Sequence, residues 1–142
     1  MIMATQDPMP LAGLKAPSSE DIDRLAERAF RALPARFRKL CEGLVIQVLE
    51  FPDDETLDEM GAESPFDLLG LFRGQGLAQR AAVEPTGAPP NMIFLYRRPL
   101  LDFWCEGEET LSDVVTHVLV HEIGHHFGLS DADMEAIEAQ TE

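Results

Sequence analysis

Apolar and polar positions along the chain predict helices near both ends and strands between them. The first helical pattern follows Ser18, where apolar residues recur at three- and four-residue intervals up to Leu33, and Pro34 ends it. Ser18 and Asp21 have the spacing of a capping box, which satisfies free amide groups at the start of a helix. The sequence therefore predicts a first helix between Ser18 and Pro34.

Branched apolar runs predict two strands in the middle of the chain. Residues 43–51 are rich in valine, isoleucine and leucine, and Met92–Tyr96 forms a second run that stops before Pro99. A short helix from about Pro99 to Cys105 is expected next. Between the two strands, the glycines within residues 68–80 indicate turns around short extended pieces.

The segment from Glu50 to Asp67 contains eight acidic residues and no basic one, and glycine and proline interrupt it. This composition predicts a solvated loop. The acidic residues do not have the spacing of an EF-hand loop, which argues against a calcium site.

The strongest helical pattern in the chain covers residues 110–127. Thr110 and Asp113 repeat the capping-box spacing, and Gly128 is the expected stop. Apolar side chains lie around nearly the whole circumference, which predicts a buried central helix. A final helix with a third capping box is expected to begin at Ser130. This order of helices and strands predicts an α+β domain.

The chain of 142 residues is strongly acidic, with 26 acidic residues against 11 basic ones and a net charge of −15. Such a surface repels phosphate backbones, so nucleic acid is not an expected partner. Six of the basic residues lie between positions 24 and 39. Their expected counterpart is the acidic remainder of the protein rather than an external anion.

Length and composition predict one folded domain over residues 18–142, preceded by a flexible N-terminal tail over residues 1–17. Cys41 and Cys105 match no zinc-finger or redox spacing and are expected to be free thiols. No apolar run is long enough to span a bilayer, and the N-terminus lacks the pattern of a signal peptide. These features predict a cytoplasmic protein with no membrane partner.

All four histidines lie between His117 and His126, within the predicted central helix. His121 and His125 are spaced i, i+4, which brings both rings to one face and lets two imidazoles bind one Zn²⁺ at about 2.0–2.1 Å. Glu122 projects roughly 100° around the helix, where it can take a proton from a metal-activated water rather than bind the metal. These residues form the zinc motif H-E-x-x-H.

The motif continues with Gly128 and Asp131, so the chain contains H-E-x-x-H-x-x-G-x-x-D. The glycine lets the backbone turn sharply out of the helix, which makes Asp131 the expected third metal ligand. Asp131 also fits an acidic position in the first turn of the last helix. Glu135 and Glu138 are rival third ligands.

The other two histidines have less direct roles. His117 lies on the ligand face one turn earlier, and we expect it to support the ligands from outside or to lie in the core. His126 points some 100° away from His125, and we expect it to be structural or to lie near the rim of the site.

The motif resembles the metzincin signature in its variant with aspartate as third ligand. Further pieces resemble the small bacterial zincin-like metallopeptidase family with a minimal fold: the capped first helix, "LVIQVLEF", "DLLGLFRG", "IFLYRRPLL" and "VLVHEIGHHFGLSDADM". The resemblance covers roughly residues 18–138. It implies a small mixed β-sheet packed on a buried active-site helix with flanking helices, and an edge strand that holds an extended peptide beside the metal. Met134 is the only methionine after the motif, with no room for the long segment that leads to a methionine turn in larger metzincins.

Residues and resemblance together predict a zinc-dependent metallopeptidase that hydrolyses a peptide or protein substrate, with one Zn²⁺ per chain. His121, His125 and Asp131 are the expected metal ligands, and Glu122 the general base. A zinc-binding, zincin-like interaction module without protease activity is the alternative. A metal-dependent ribonuclease that resembles the bacterial ribosomal-RNA maturation family fits less well, because that family carries three histidine ligands and lacks the glutamate.

Overall fold

The first helix begins at the predicted cap. The computed structural model describes residues 9–74 and 90–128, together with residues 132, 135, 136 and 139. Helix α1 (Ser19–Arg31) starts with both halves of a capping box, in which the Asp21 amide donates to Ser18 Oγ at 3.1 Å and the Ser18 amide donates to the Asp21 carboxylate at 2.8 Å. Its inner face buries Ile22, Ala26 and Ala29.

A short helix that the sequence pattern does not predict follows Pro34. Helix α2 (Ala35–Leu40) contains part of the basic cluster. Two bases on α1 pair with acids of the same helix, Arg24 with Glu20 and Arg31 with Glu27, as expected for a cluster that the protein itself balances. On α2, by contrast, Arg36 lies over the ring of Phe37, and Arg38 donates to the carbonyl of Leu33.

The described strands form a mixed sheet in the order β1-β3-β2. Strand β1 (Val45–Leu49) runs parallel to β3 (Met92–Tyr96), and β2 (Gly70–Arg73) runs antiparallel to β3. Strand β3 has the predicted bounds, and β1 is two residues shorter at each end than the apolar run. Because β3 is central, β2 has no strand on its outer side within the described residues.

The acidic segment after β1 is partly helical, so the prediction of a solvated loop over Glu50–Asp67 is wrong for residues 54–59. Helix α3 (Asp54–Glu59) begins with the amide of Thr56 donating to Asp53 at 2.8 Å. Acidic residues are favourable in a first helical turn because of the helix dipole. Arg73 at the end of β2 then donates to Thr56 Oγ1 at 3.2 Å and to Glu59 at 2.7 Å, which ties the helix to the sheet.

A 3-10 turn at Pro10–Gly13 precedes α1, and two further α-helices follow β3. Helix α4 (Arg97–Glu106) covers the predicted short helix and extends it at both ends. Arg97 donates to the carbonyl of Pro17 at 2.6 Å and to Glu50 at 2.9 Å, so the start of α4 is fixed to the segments before α1 and after β1. None of the helices in the described ranges has the length and apolarity needed to cross a membrane.

Helix α5 (Leu111–Phe127) has the predicted bounds, starting at the cap Thr110 and ending at Gly128 with a left-handed φ of 70°. It contacts α1, α4, β2 and β3, and Val115, Leu119 and Ile123 are almost fully buried. The prediction that it is buried on all sides is wrong in one respect. A narrow exposed stripe runs along it and contains three of the histidines: His117, His121 and His125.

The observed architecture is α+β, with a small mixed sheet packed on the histidine-bearing helix and helices on either side, as predicted. The core lies between α1, α5 and the inner face of the sheet. Both cysteines are free, Cys41 being buried and Cys105 exposed, again as predicted. The predicted capping box of the final helix, Ser130 with Asp133, lies outside the described residues.

Candidate metal centre

Three neighbouring side chains on the second half of α5 form a group that could hold a metal ion. The imidazole nitrogens of His121 and His125 and a carboxylate oxygen of Glu122 all lie within 4.8 Å of one another. The two rings are one helical turn apart, with centroids separated by 5.0 Å and planes at 81°. Both histidines are exposed, so a metal on this face would be open to a substrate.

Glu122 differs from its two neighbours because it is buried, with 8% of its surface exposed. Burial raises the pKa of its carboxyl group, while the charge of His121 and a hydrogen bond from the backbone N–H of Phe72 lower it. Phe72 belongs to β2. The carboxylate therefore lies on the side of α5 that faces the edge strand, beside the two imidazoles.

The outer edge of β2, which no other described strand covers, carries backbone groups next to this carboxylate. The N–H of Tyr96 donates to the carbonyl of Leu69 at 3.0 Å, and hydrogen-bonded pairs alternate along an antiparallel ladder. The register pairs Gly70 with Leu95. Gly70 and Phe72 therefore direct their N–H and C=O groups away from β3, toward the outer edge.

Gly70 also sets how closely β2 approaches α5. A Cβ at this position would lie 2.8 Å from Cγ1 of Val118 and 3.2 Å from the carbonyl oxygen of Phe94. Only a residue without a side chain fits there without displacing the helix or the strand. The short distance from β2 to α5 is what lets Glu122 reach the backbone of the strand.

The chain also matches a known protein family over most of its length. The model of a zincin-like metallopeptidase family matches residues 41–141, which is well over half of the chain. The chain belongs to the zincin-like metallopeptidase family. The resemblance inferred from the motif is thereby confirmed, and the family together with the His-Glu-His group indicates a zinc-binding, protease-like type of protein. A search of curated proteins returned no match.

The ligand atoms that this zincin-like protein offers at the metal group are of the kinds that zinc binds. Zinc binds imidazole nitrogen and carboxylate oxygen in tetrahedral sites, and a catalytic site uses three protein ligands and leaves one position open. His121 and His125 supply two nitrogens from one exposed face. The predicted third ligand, Asp131, and its rival Glu138 lie outside the described residues. The other rival, Glu135, is exposed and does not join the group.

The remaining histidines of the zincin helix are placed very differently. His117 is exposed and outside the group, which excludes the core position considered for it. His126 is buried, with 3% of its surface exposed, and it bonds to Asn91 and Leu40. It is therefore structural, as expected. Sequence reasoning missed Asn91, which follows Pro89–Pro90 and has no spacing that marks it.

Proposed function

We propose that the protein is a zinc-dependent peptide hydrolase in which Glu122 is the general base. The observation that carries the proposal is the joint placement of two exposed imidazoles and one buried carboxylate, with donor atoms within 4.8 Å, beside an edge strand. An interaction module that only binds zinc would need the histidines. It would not need a buried carboxylate beside them, because burying a charged group costs free energy.

His121, His125 and Asp131 would hold the metal. The first two present their rings from one face of α5, and Gly128 ends the helix with a left-handed turn that lets the chain change direction before Asp131. When bound, zinc supplies a Lewis acid that polarises a peptide carbonyl and makes water acidic enough to be deprotonated near neutral pH.

Glu122 would accept the proton of the attacking water and return it to the leaving amine. Two features of the chain hold the carboxylate for this role. It is largely removed from solvent, and the backbone N–H of Phe72 lies close enough to lower its pKa. Because that N–H belongs to the strand proposed to bind the substrate, the base and the peptide would be positioned by the same element.

The substrate would be a peptide or a protein segment in extended form. The groups that would pair with it are the outer N–H and C=O of Gly70 and the C=O of Phe72, as in the addition of a strand to a sheet edge, because the N–H of Phe72 faces Glu122. Main-chain pairing of this kind places the peptide by its backbone, so affinity would come mainly from main-chain hydrogen bonds and selectivity from side-chain pockets.

The test compares peptide hydrolysis by the wild-type protein with that by Glu122→Gln, with bound zinc measured in both. The proposal requires the substitution to lower the rate by about 10²-fold or more, a typical effect of losing a general base, while zinc content is unchanged. Glu106→Gln, which removes the same charge from an exposed position on α4, is the control and should hydrolyse peptides normally.

A library of unstructured peptides, rather than a single sequence, should serve as substrate in this assay. Full zinc occupancy with no cleavage of any peptide would favour the interaction module instead. Equal cleavage by Glu122→Gln and the wild type would show that another group acts as base.

A further inference from the structure

A buried polar pair fastens the C-terminal end of the metal helix, and the proposed reaction does not use it. Asn91 and His126 are 2% and 3% exposed, and Asn91 Nδ2 lies 2.9 Å from His126 Nδ1. The other ring nitrogen of His126, Nε2, lies 3.3 Å from the carbonyl oxygen of Leu40. His126 directly follows His125, one of the two exposed histidines of the metal group.

We propose that the Asn91–His126 pair positions the metal centre: it fixes the orientation of α5 against the end of β2 and withholds His126 from the metal. This inference rests on the zinc site of the proposed function but not on peptide hydrolysis. His126 is a positioning residue in this account, because it acts through His125 and Glu122 rather than on a substrate.

The hydrogen bonds determine which nitrogen of His126 carries the proton. The amide nitrogen of Asn91 can only donate, so Nδ1 accepts. The carbonyl of Leu40 can only accept, so Nε2 carries hydrogen and donates. Both nitrogens of the neutral ring are thereby engaged within the protein. Of two adjacent imidazoles, this leaves His125 available to a metal and His126 unavailable.

The pair also connects the elements that surround the site. The carbonyl of Asn91 accepts from the amide of Val45 at 3.0 Å, which ties it to β1. Gly74, just after β2, packs so tightly on Asn91 that a Cβ there would overlap its side-chain oxygen. Through Leu40 the pair reaches the end of α2. The last turn of α5 is thus held at one rotation relative to the sheet.

A second link runs from His126 to the proposed general base. The ring of Phe72 contacts the ring of His126 edge-on, with centroids 5.9 Å apart and planes at 70°. The backbone N–H of the same Phe72 lies close enough to the Glu122 carboxyl group to lower its pKa. A change in the position of His126 would therefore move the residue that holds the base as well as the backbone that carries His125.

A buried polar pair at this position suggests that its role is to orient α5 rather than to stabilise the packing of the elements. Replacing both partners of a buried hydrogen bond by apolar groups of similar shape is often nearly neutral for stability, so an apolar pair would hold the elements together equally well. Hydrogen bonds add direction. Groups hydrogen-bonded directly to metal ligands typically contribute 10- to 100-fold in metal affinity, and His126 acts one step further out, through the backbone it shares with His125.

The experiment measures zinc affinity, by competition with a chromophoric chelator, for the wild type and three variants. His126→Phe keeps a ring and removes both hydrogen bonds. His126→Asn offers a side-chain oxygen in place of Nδ1 and keeps the bond from Asn91. Ile123→Val, at a site 1% exposed on the same helix, is the matched control for loss of core packing. Circular dichroism confirms that each protein is folded under the assay conditions.

We expect His126→Phe to weaken zinc binding about 10-fold, the lower end of the range for partners bonded directly to a ligand, and to alter the visible absorption spectrum of the cobalt-substituted protein, which reports ligand geometry. His126→Asn should restore most of the affinity. Ile123→Val should lower the melting temperature without changing affinity or spectrum. If His126 served only in packing, His126→Phe and His126→Asn would both lower the melting temperature, and neither would change the zinc affinity or the cobalt spectrum.

Unchanged zinc affinity and an unchanged cobalt spectrum in His126→Phe would overturn the inference while leaving the zinc site intact. Absence of zinc binding by the wild-type protein would overturn both. If Glu122→Gln still cleaved peptides, the assignment of Glu122 as general base would be wrong. The zinc measurements on the His126 variants would still test the positioning role.

Discussion

Gly70→Ala should separate the edge strand from the metal helix. The added Cβ would lie 2.8 Å from Val118 Cγ1, which is about 0.7–1.2 Å inside normal carbon–carbon contact. Valine in a helix has one strongly preferred rotamer and cannot easily turn away. The carbonyl oxygen of Phe94, 3.2 Å from the same Cβ, belongs to the paired strand and limits movement in the other direction.

Overpacking of this kind costs about 1–3 kcal/mol, and the loss of glycine entropy in the unfolded chain offsets about 0.4–1 kcal/mol of it. We therefore expect Gly70→Ala to lower the free energy of unfolding by about 1–2 kcal/mol, measured by urea denaturation with the fluorescence of Trp104. Gly107→Ala is the control, because its Cβ would meet only a backbone oxygen at 3.7 Å, which is ordinary contact.

A double-mutant cycle with Val118→Ala assigns the cost to this contact. Removing the Val118 methyl groups should make Gly70→Ala less harmful, with a coupling free energy of at least about 0.5 kcal/mol. Additive effects of the two substitutions, or a Gly70→Ala protein as stable as Gly107→Ala, would refute the close approach of β2 to α5. The placement of Glu122 against β2 would then lose its structural basis.

Three further predictions concern other parts of the chain. Asp131→Ala should abolish tight zinc binding while Glu135→Ala does not, as measured by chelator competition, and the reverse result would assign the third ligand to Glu135. Burial raises the pKa of Cys41 to about 11, so at pH 8.5 iodoacetamide should modify the exposed Cys105 and spare Cys41 until the protein unfolds, with mass spectrometry of the modified peptides as readout. Ser18→Ala removes one half of the capping box of α1 and should cost about 0.5–2 kcal/mol of unfolding free energy in urea; no change would mean that the cap contributes nothing.

The sequence predicts those elements whose signals are local. The Ser18 capping box marked the start of α1, the Thr110 cap and the glycine stop marked the ends of α5, and the run at Met92–Tyr96 marked the bounds of β3. The H-E-x-x-H spacing placed His121, Glu122 and His125 together because helix geometry alone brings i and i+4 to one face. These predictions depend on no contact between distant segments.

The features that sequence reasoning missed depend on tertiary contacts. Helix α3 begins at a local cap, Asp53, but its tie to the sheet comes from Arg73 of β2, seventeen residues from Thr56. Asn91 contacts His126 across thirty-five residues, and a single asparagine after two prolines gives no sign of such a partner. The burial of Glu122 follows from the position of β2 beside α5, which periodicity within one helix cannot reveal.

The central claim is that the clustered histidines build a zinc site, and the metal content of the purified protein tests it most directly. Elemental analysis should compare the tag-free wild type with His121→Ala and His125→Ala, and with His117→Ala as a control outside the group. The account predicts about one zinc ion per chain in the wild type and in His117→Ala, and almost none in the other two. A wild-type protein without zinc after incubation with the metal, or full zinc content in His121→Ala and His125→Ala, would contradict it.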